Sequence, residues 1–499
     1  MSLSVESAVT SNQSLCIEAT AGSGKTTLMV ERLRYLIIEK QVPPERCLAI
    51  TFTEKAAKEM IERLRKVFAK SGVKNPQEVV SKMSVSTIHA FCHKILKKYA
   101  LCINLSPHYR IVDHIEKQQA CMQHLSNLLA EYKYDPPQWL MDCLSVWSVP
   151  QLEKIAISAY DHRETIGYWF SNGFFNIDPE ILESHAQHTQ TYKKTMTALS
   201  EFVSSYLARI EASKQSDGWQ DYDDILYLTY RLFANVDWLR HQMQEQYQYI
   251  FVDEFQDTSP VQWKIVQQLC SDTDAYASRK LWVVGDRCQA IYGFRGADDA
   301  LMGMVIDTQH PALGHVKNIQ NYRSHATIIR WINQLFQRLF TDQGATFLQM
   351  EPQKQVGNAS IHCHIVDAEY PEKELGTIKK HIDQYMENGG HYKDIAILVR
   401  KNYDIKRINA YLQQKGIPMH VSKGAGLCEQ DSVQVTICLI QGLLDESDTI
   451  AWYGIARDIL EVPDTDLKEL NSVDGGFVNA LAGYTKNGVD QTIKDWSEA

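Results

Sequence analysis

The run Gly22-Ser23-Gly24-Lys25-Thr26 constrains this chain more than any other. Small residues there let consecutive backbone N–H groups turn inward on one centre of negative charge. The flanks complete the unit. Ser14-Leu15-Cys16-Ile17-Glu18 is apolar enough for a buried strand, and Leu28, Met29, Leu33, Leu36 and Ile37 recur at helical spacing after it. A strand, a glycine loop and a helix in that order predict a parallel, helix-covered sheet with phosphate on the helix N-terminus. The expected ligand is a nucleoside triphosphate cradled by Ala21, Gly22, Ser23, Gly24, Lys25, Thr26 and Thr27. Lys25 would reach the β- and γ-phosphates and Thr26 would hold Mg²⁺. Ala19 stands where the first glycine of such a loop is usual.

A second site follows another apolar run, Tyr249-Ile250-Phe251-Val252. Asp253 at its end suits Mg²⁺, and Glu254 is placed to polarise an attacking water. A cation loop and a strand-end carboxylate pair together imply that the triphosphate is cut.

Further runs carry a resemblance. Asp253-Glu-Phe-Gln-Asp-Thr-Ser-Pro260, Val284-Gly-Asp-Arg-Cys-Gln289-Ala-Ile-Tyr292-Gly-Phe294-Arg295-Gly-Ala-Asp298 and Asn321-Tyr322-Arg323-Ser324 resemble motifs II, III and IV of superfamily 1 helicases. Thr51-Phe52-Thr53-Glu54-Lys55-Ala56-Ala57 resembles motif Ia, and Ser86-Thr87-Ile88-His89-Ala90-Phe91 resembles motif Ib. Their order is that of the UvrD/Rep branch. Glu18-Ala-Thr-Ala-Gly-Ser-Gly-Lys-Thr26 and Asp257-Thr-Ser-Pro-Val-Gln-Trp263 lean toward its RecB/AddA-like members. The resemblance implies an ATP-dependent translocase or helicase on single-stranded or partly duplex DNA, moving 3′ to 5′, in repair or recombination. It implies that Gln289 and Arg323 contact the γ-phosphate, Arg323 from a second motor domain, and that Tyr322 stacks near adenine. Phe52, Tyr292 and Phe294 would touch bases, with Lys55, Arg295 and His89 along the DNA path. His89 also reads as a structural histidine. A catalytically silent DNA-binding subunit of a recombination or nuclease complex is the alternative, and intact Lys25, Asp253, Glu254, Gln289 and Arg323 argue against it.

Three departures stand out. Val5 occupies the position of the glutamine that reads adenine in the family, and Ala290 that of a common serine. No run resembles family motifs V and VI, which supply a further arginine; Arg457 lies in an ordinary amphipathic pattern. The expectation is an N-terminal portion of a longer enzyme, weak or inactive alone.

Net charge is −10, so any DNA contact must come from a local groove rather than the whole surface. Lys55, Lys58, Arg63, Arg65, Lys66 and Lys70 form a basic stretch that reads equally as a phosphate contact or a solvated helix face. Eleven cysteines, none in a Cys-x-x-Cys pair, argue for a reducing cytoplasm and against a zinc ribbon. His362-Cys363-His364 alternates across a strand, so its three side chains do not converge. No apolar run reaches the ~20 residues of a membrane span.

Alternation of strand and helix patterns predicts an α/β fold, a parallel doubly wound sheet with a helical insertion; the resemblance implies a RecA-like domain, then part of a second RecA-like domain. Strands are expected at 15–18, 47–51, 85–88, 250–253 and 281–285, then at 360–366, 395–399 and 419–422. The expected domains are 1–104 with 216–320 (1A), 105–215 (the insertion, 1B), 321–432 (2A) and 433–499 (the opening of a second insertion, 2B).

Overall fold

The structure is a computed structural model. It describes residues 4–163, 186–278, 280–293, 296–308, 310–342, 347–354, 359–365, 371–421, 431–444, 448–460, 462–463, 466–467, 470, 477–482 and 484. The chain forms two compact units, residues 1–361 and 362–499.

Ten strands occur among the described residues, all in the first unit: β1 Ser14–Ala19, β2 Cys47–Thr51, β3 Ser84–Thr87, β4 Arg110–Ile111, β5 Trp219–Gln220, β6 Tyr249–Val252, β7 Leu281–Gly285, β8 Leu313–Asn318, β9 Gln320–His325 and β10 Glu351–Lys354. Six build one parallel sheet in the order β3-β2-β6-β7-β1-β8. Successive side chains point to opposite faces, and both faces are buried. Leu15, Ile17, Ala49, Phe251, Trp282 and Val284 pack in one core. Cys16, Leu48, Ile50, Ile250, Val252, Leu281 and Val283 pack in the other. This is the expected RecA-like α/β sheet, and its parallel strands all end at one edge, where loops carry chemistry.

The caps of the flanking helices are written in the sequence. Thr53 accepts from Ala56 N–H to start the helix Glu54–Lys70. Thr87 does the same for Ile88–Tyr99. Ser259 and Gln262 form a reciprocal capping box at Pro260–Cys270.

Between β4 and β5 the chain leaves the sheet and builds a helical body with its own core, including Leu125, Leu152, Tyr160, Phe202 and Tyr206. β4 and β5 pair side by side where the chain departs and returns.

One residue, Ile319, separates β9 from β8; β8 is hydrogen-bonded to β1, and β9 pairs with β10. In the second unit, helices Pro371–Glu387 and Asn402–Gln414 pack through Leu375, Ile382, Ile408 and Leu412. Of the strands expected at 360–366, 395–399 and 419–422, residues 360–365, 395–399 and 419–421 make no ladder among the described residues. His364 and His381 meet in this unit, their Nε2 atoms 2.8 Å apart.

Candidate functional site

β1 ends at Ala19 and the chain turns through Thr20–Gly24. Gly22 and Gly24 take φ of 73° and 84°, the left-handed region that glycine enters without strain. Helix Lys25–Arg34 then begins with no side-chain cap. Its first N–H groups therefore point into the loop with no competing side chain, as an anion-binding helix end requires. The loop is braced from beneath: Thr20 N–H donates to Asn318 O (3.0 Å) and Asn318 Nδ2 donates to Ser23 O (3.1 Å).

Lys25 is buried and its Nζ lies 3.0 Å from Glu254 Oε2. The pair joins the ends of β1 and β6, which are not neighbours in the sheet, across the end of β7. Glu254 holds φ of 49°, a left-handed backbone in a non-glycine residue. Asp253, buried beside it, accepts from Glu254 N–H (3.0 Å). Burial foremost, then the neighbouring Glu254 charge, raises its carboxyl to about 6, while Lys25 and Arg63 pull the other way. Asp257 is likewise pushed to about 6, chiefly by burial and then by Glu254. Thr26 is half-buried on the first helical turn and Thr27 is exposed.

Gln289 donates to Asp286 Oδ2 (2.6 Å), and Asp286 caps the short turn Arg287–Gln289 through Cys288 N–H. Burial raises Asp286 above the usual carboxylate range.

β9 runs against the loop from the other side. Tyr322 N–H donates to Gly22 O (3.0 Å) and Asn321 Nδ2 to Ala21 O (2.6 Å). A Cβ at Gly22 would lie 2.8 Å from Asn321 Nδ2 and 2.9 Å from Arg323 Cβ. Arg323 is exposed. The Tyr322 ring is exposed, its hydroxyl bonded to Gln320.

The strand-end aromatics converge. Phe52 and Tyr292 have ring centroids 4.5 Å apart, tilted by 38°. His89 meets Tyr222 edge-on at 5.9 Å, and burial lowers its affinity for a proton. With Phe52, Asp253 and Glu254 it lines a small cavity behind the carboxylates. Lys55 is exposed on the first turn of its helix. Phe294 and Arg295 lie outside the described residues.

Sequence reasoning missed Asn318, Asn321, Gln256 and Asp286. Asn321 and Gln256 sit inside the quoted runs, but their partners are loops distant in sequence, which no local pattern reveals.

A parallel sheet with a glycine loop, an uncapped helix and strand-end carboxylates defines a P-loop domain of the RecA-like kind. The description "UvrD/REP helicase N-terminal domain" matches residues 2–309, and "UvrD-like helicase C-terminal domain" matches 317–487. The chain belongs to the UvrD/REP helicase family. It is 27% identical over 461 residues to an ATP-dependent DNA helicase PcrA of Staphylococcus aureus, covering 92% of this chain and 55% of that protein. It is 27% identical over 426 residues to a probable DNA helicase II homolog of Mycoplasma capricolum (85% and 52%), and 26% identical over 464 residues to PcrA of Leuconostoc citreum (91% and 54%). The chain spans about half the length of these curated relatives. No helix among the described residues is long and apolar enough to cross a membrane.

Proposed function

We propose that this chain carries the ATP-hydrolysing part of a motor that moves along single-stranded DNA, 3′ to 5′, in repair or recombination in the cytoplasm. The observation that carries the reading is the Lys25–Glu254 contact, which puts a phosphate-binding cation and a water-activating carboxylate at one point. Lys25 would exchange Glu254 for the β- and γ-phosphates, leaving Glu254 free to take a proton from the attacking water. Gln289 and Arg323 would sense the γ-phosphate and Tyr322 would stack near adenine; Val5, in place of the adenine-reading glutamine, leaves that stacking as the base contact. The residues fit a divalent cation: Thr26 and Asp253 would hold Mg²⁺, which supplies neutralisation of phosphate charge. A buried carboxylate that keeps its proton to about pH 6 gains by exchanging it for such a cation.

Phe52, Tyr292 and Phe294 would stack on bases, with Lys55, Arg295 and His89 beside the strand. The domains would be 1–104 with 216–320, the insertion 105–215, then 321–432 and 433–499. By its motifs we read the chain as leaning toward the RecB/AddA-like branch. On the reading that the two last family motifs are not among them, residues 1–499 should turn ATP over slowly by themselves, an arginine finger being worth about 10³–10⁵ in rate in related systems.

The test is ATP turnover, with and without single-stranded oligonucleotide, by the protein expressed from its full gene. Lys25→Ala should abolish stimulated turnover. Glu254→Gln should keep nucleotide binding and lose hydrolysis. Wild-type turnover in the first variant would refute the site, and loss of nucleotide binding in the second would make Glu254 structural.

A further inference from the structure

Gln256 is fully buried between two loops that end different strands. Its amide nitrogen donates to Glu254 Oε2 (2.9 Å) and to Asp257 Oδ2 (3.4 Å). Its amide oxygen accepts from Asp286 N–H (2.9 Å). The orientation of the amide is fixed by chemistry: a backbone N–H can only donate and an ionised carboxylate can only accept. Closeness is built in as well. A Cβ at Gly285 would lie 2.7 Å from Gln256 Oε1 and 3.2 Å from Gln256 N, so the two strand ends approach only because Gly285 has none.

The next two residues extend the contact. Thr258 O accepts from Asp298 N–H (3.2 Å), and the nearby Ile291 N–H lowers the Asp257 carboxyl. Gln256 and Thr258 thus bond Asp286 and Asp298, the two ends of one stretch. That stretch carries Gln289, tied to Asp286, and Tyr292, packed on Phe52. Gln256 alone also touches the carboxylate that would activate water.

We propose that Gln256 is a positioning residue that locks Glu254 to the stretch from Asp286 to Tyr292, so that a strand seated on Phe52 and Tyr292 sets the aim of the base. The proposal rests on the motor reading above. DNA would act through geometry alone: a loop shifted by a base on Tyr292 moves Asp286, Asp286 moves the amide, and the amide moves Glu254. Nucleotide binding through Lys25, Thr26 and Asp253 needs no such path.

Two variants test it in the protein expressed from its full gene. Gln256→Met keeps the volume and loses all three amide bonds. Gln256→Glu keeps the acceptor for Asp286 and loses the donor to Glu254. Both should lower DNA-stimulated kcat by about 10–100-fold, the cost of a misplaced reacting group. The KM for ATP should stay within about twofold, since only a transition-state interaction is lost. The ratio of rates with and without oligonucleotide should fall toward one. If Gln256→Met fails to fold by circular dichroism, Gln256→Glu decides. Retained stimulation, or a raised KM with unchanged kcat, overturns the proposal while leaving the motor reading intact. A wild-type protein with no DNA stimulation overturns the motor reading and the proposal with it.

Discussion

At the phosphate loop, a methyl group is too much. An alanine at Gly22 would meet Asn321 and Arg323 and would also hold a left-handed backbone, a cost of about 1–2 kcal/mol before any overlap is counted. Gly22→Ala should therefore lower stability by at least that much in urea denaturation and weaken nucleotide binding, since β9 must move off the loop. A variant of wild-type stability would show that β9 is not seated there. Asp253 predicts a pH dependence. Its raised carboxyl is neutral below about pH 6 and ionised above, so the Mg²⁺-dependent part of nucleotide affinity is present at neutral pH and fades as pH falls through 6. Comparison with Asp253→Asn cancels the nucleotide's own protonation. The wild-type advantage should shrink by up to about tenfold per unit below 6, and more Mg²⁺ should move the midpoint lower. An advantage that stays flat between pH 5 and 7.5 would remove Asp253 from the cation site.

Among the elements, the strand ends divide into two sets. β1 and β6 end in charged groups, while β2 and the loop after β7 end in rings. Phe52→Ala with Tyr292→Ala should weaken single-strand binding by a few kcal/mol at most, at about 1–3 kcal/mol per stacked base, and leave nucleotide affinity unchanged. Equal loss of both, read by fluorescence titration, would make the ring pair a core contact. The same elements show what a sequence can say. β1, β2, β6 and β7 are largely apolar runs stopped by Thr, Asp or Gly, and they and the more polar β3 form within a residue or so of their expected bounds. β8 and β9 went unread because both mix polar residues into the strand: His315 and Lys317 on the outermost strand of the sheet, and Gln320, Asn321, Arg323 and His325 on β9, where hydrogen bonds to the loop replace apolar burial. The opposite error lies at 395–399. Its alternation describes a half-buried face, which Ile395 and Ile397 do have, but a ladder needs a neighbouring strand as well.

The whole first unit joins two cores through one buried set of charges. Asp221 and Asp224 cap the helix Tyr222–Asn235, whose Ile225 and Phe233 belong to the sheet core. Arg163 reaches Asp221 (2.8 Å) and Asp224 (2.9 Å), Lys214 reaches Asp224 (2.8 Å), and Tyr160 of the insertion core donates to Asp221 (2.8 Å). With Lys214 and Asp224 both almost fully buried, Asp224→Ala takes from Lys214 its one buried carboxylate and should cost about 3–5 kcal/mol. Urea denaturation reads this, and a loss below about 1 kcal/mol would mean that water reaches the network.

The order of the sheet also sets a clock on the ribosome. β1 carries the phosphate loop and is made first, yet its two neighbours begin at Leu281 and Leu313. At about 5–20 residues per second, a strand this apolar waits on the order of tens of seconds for the chain that will cover its edges. The insertion suffers no such delay, because its partners lie close together in the chain. The nascent protein should thus emerge with its helical body formed and its nucleotide site still open, exposed to chaperones until the last strand slides in beside the first.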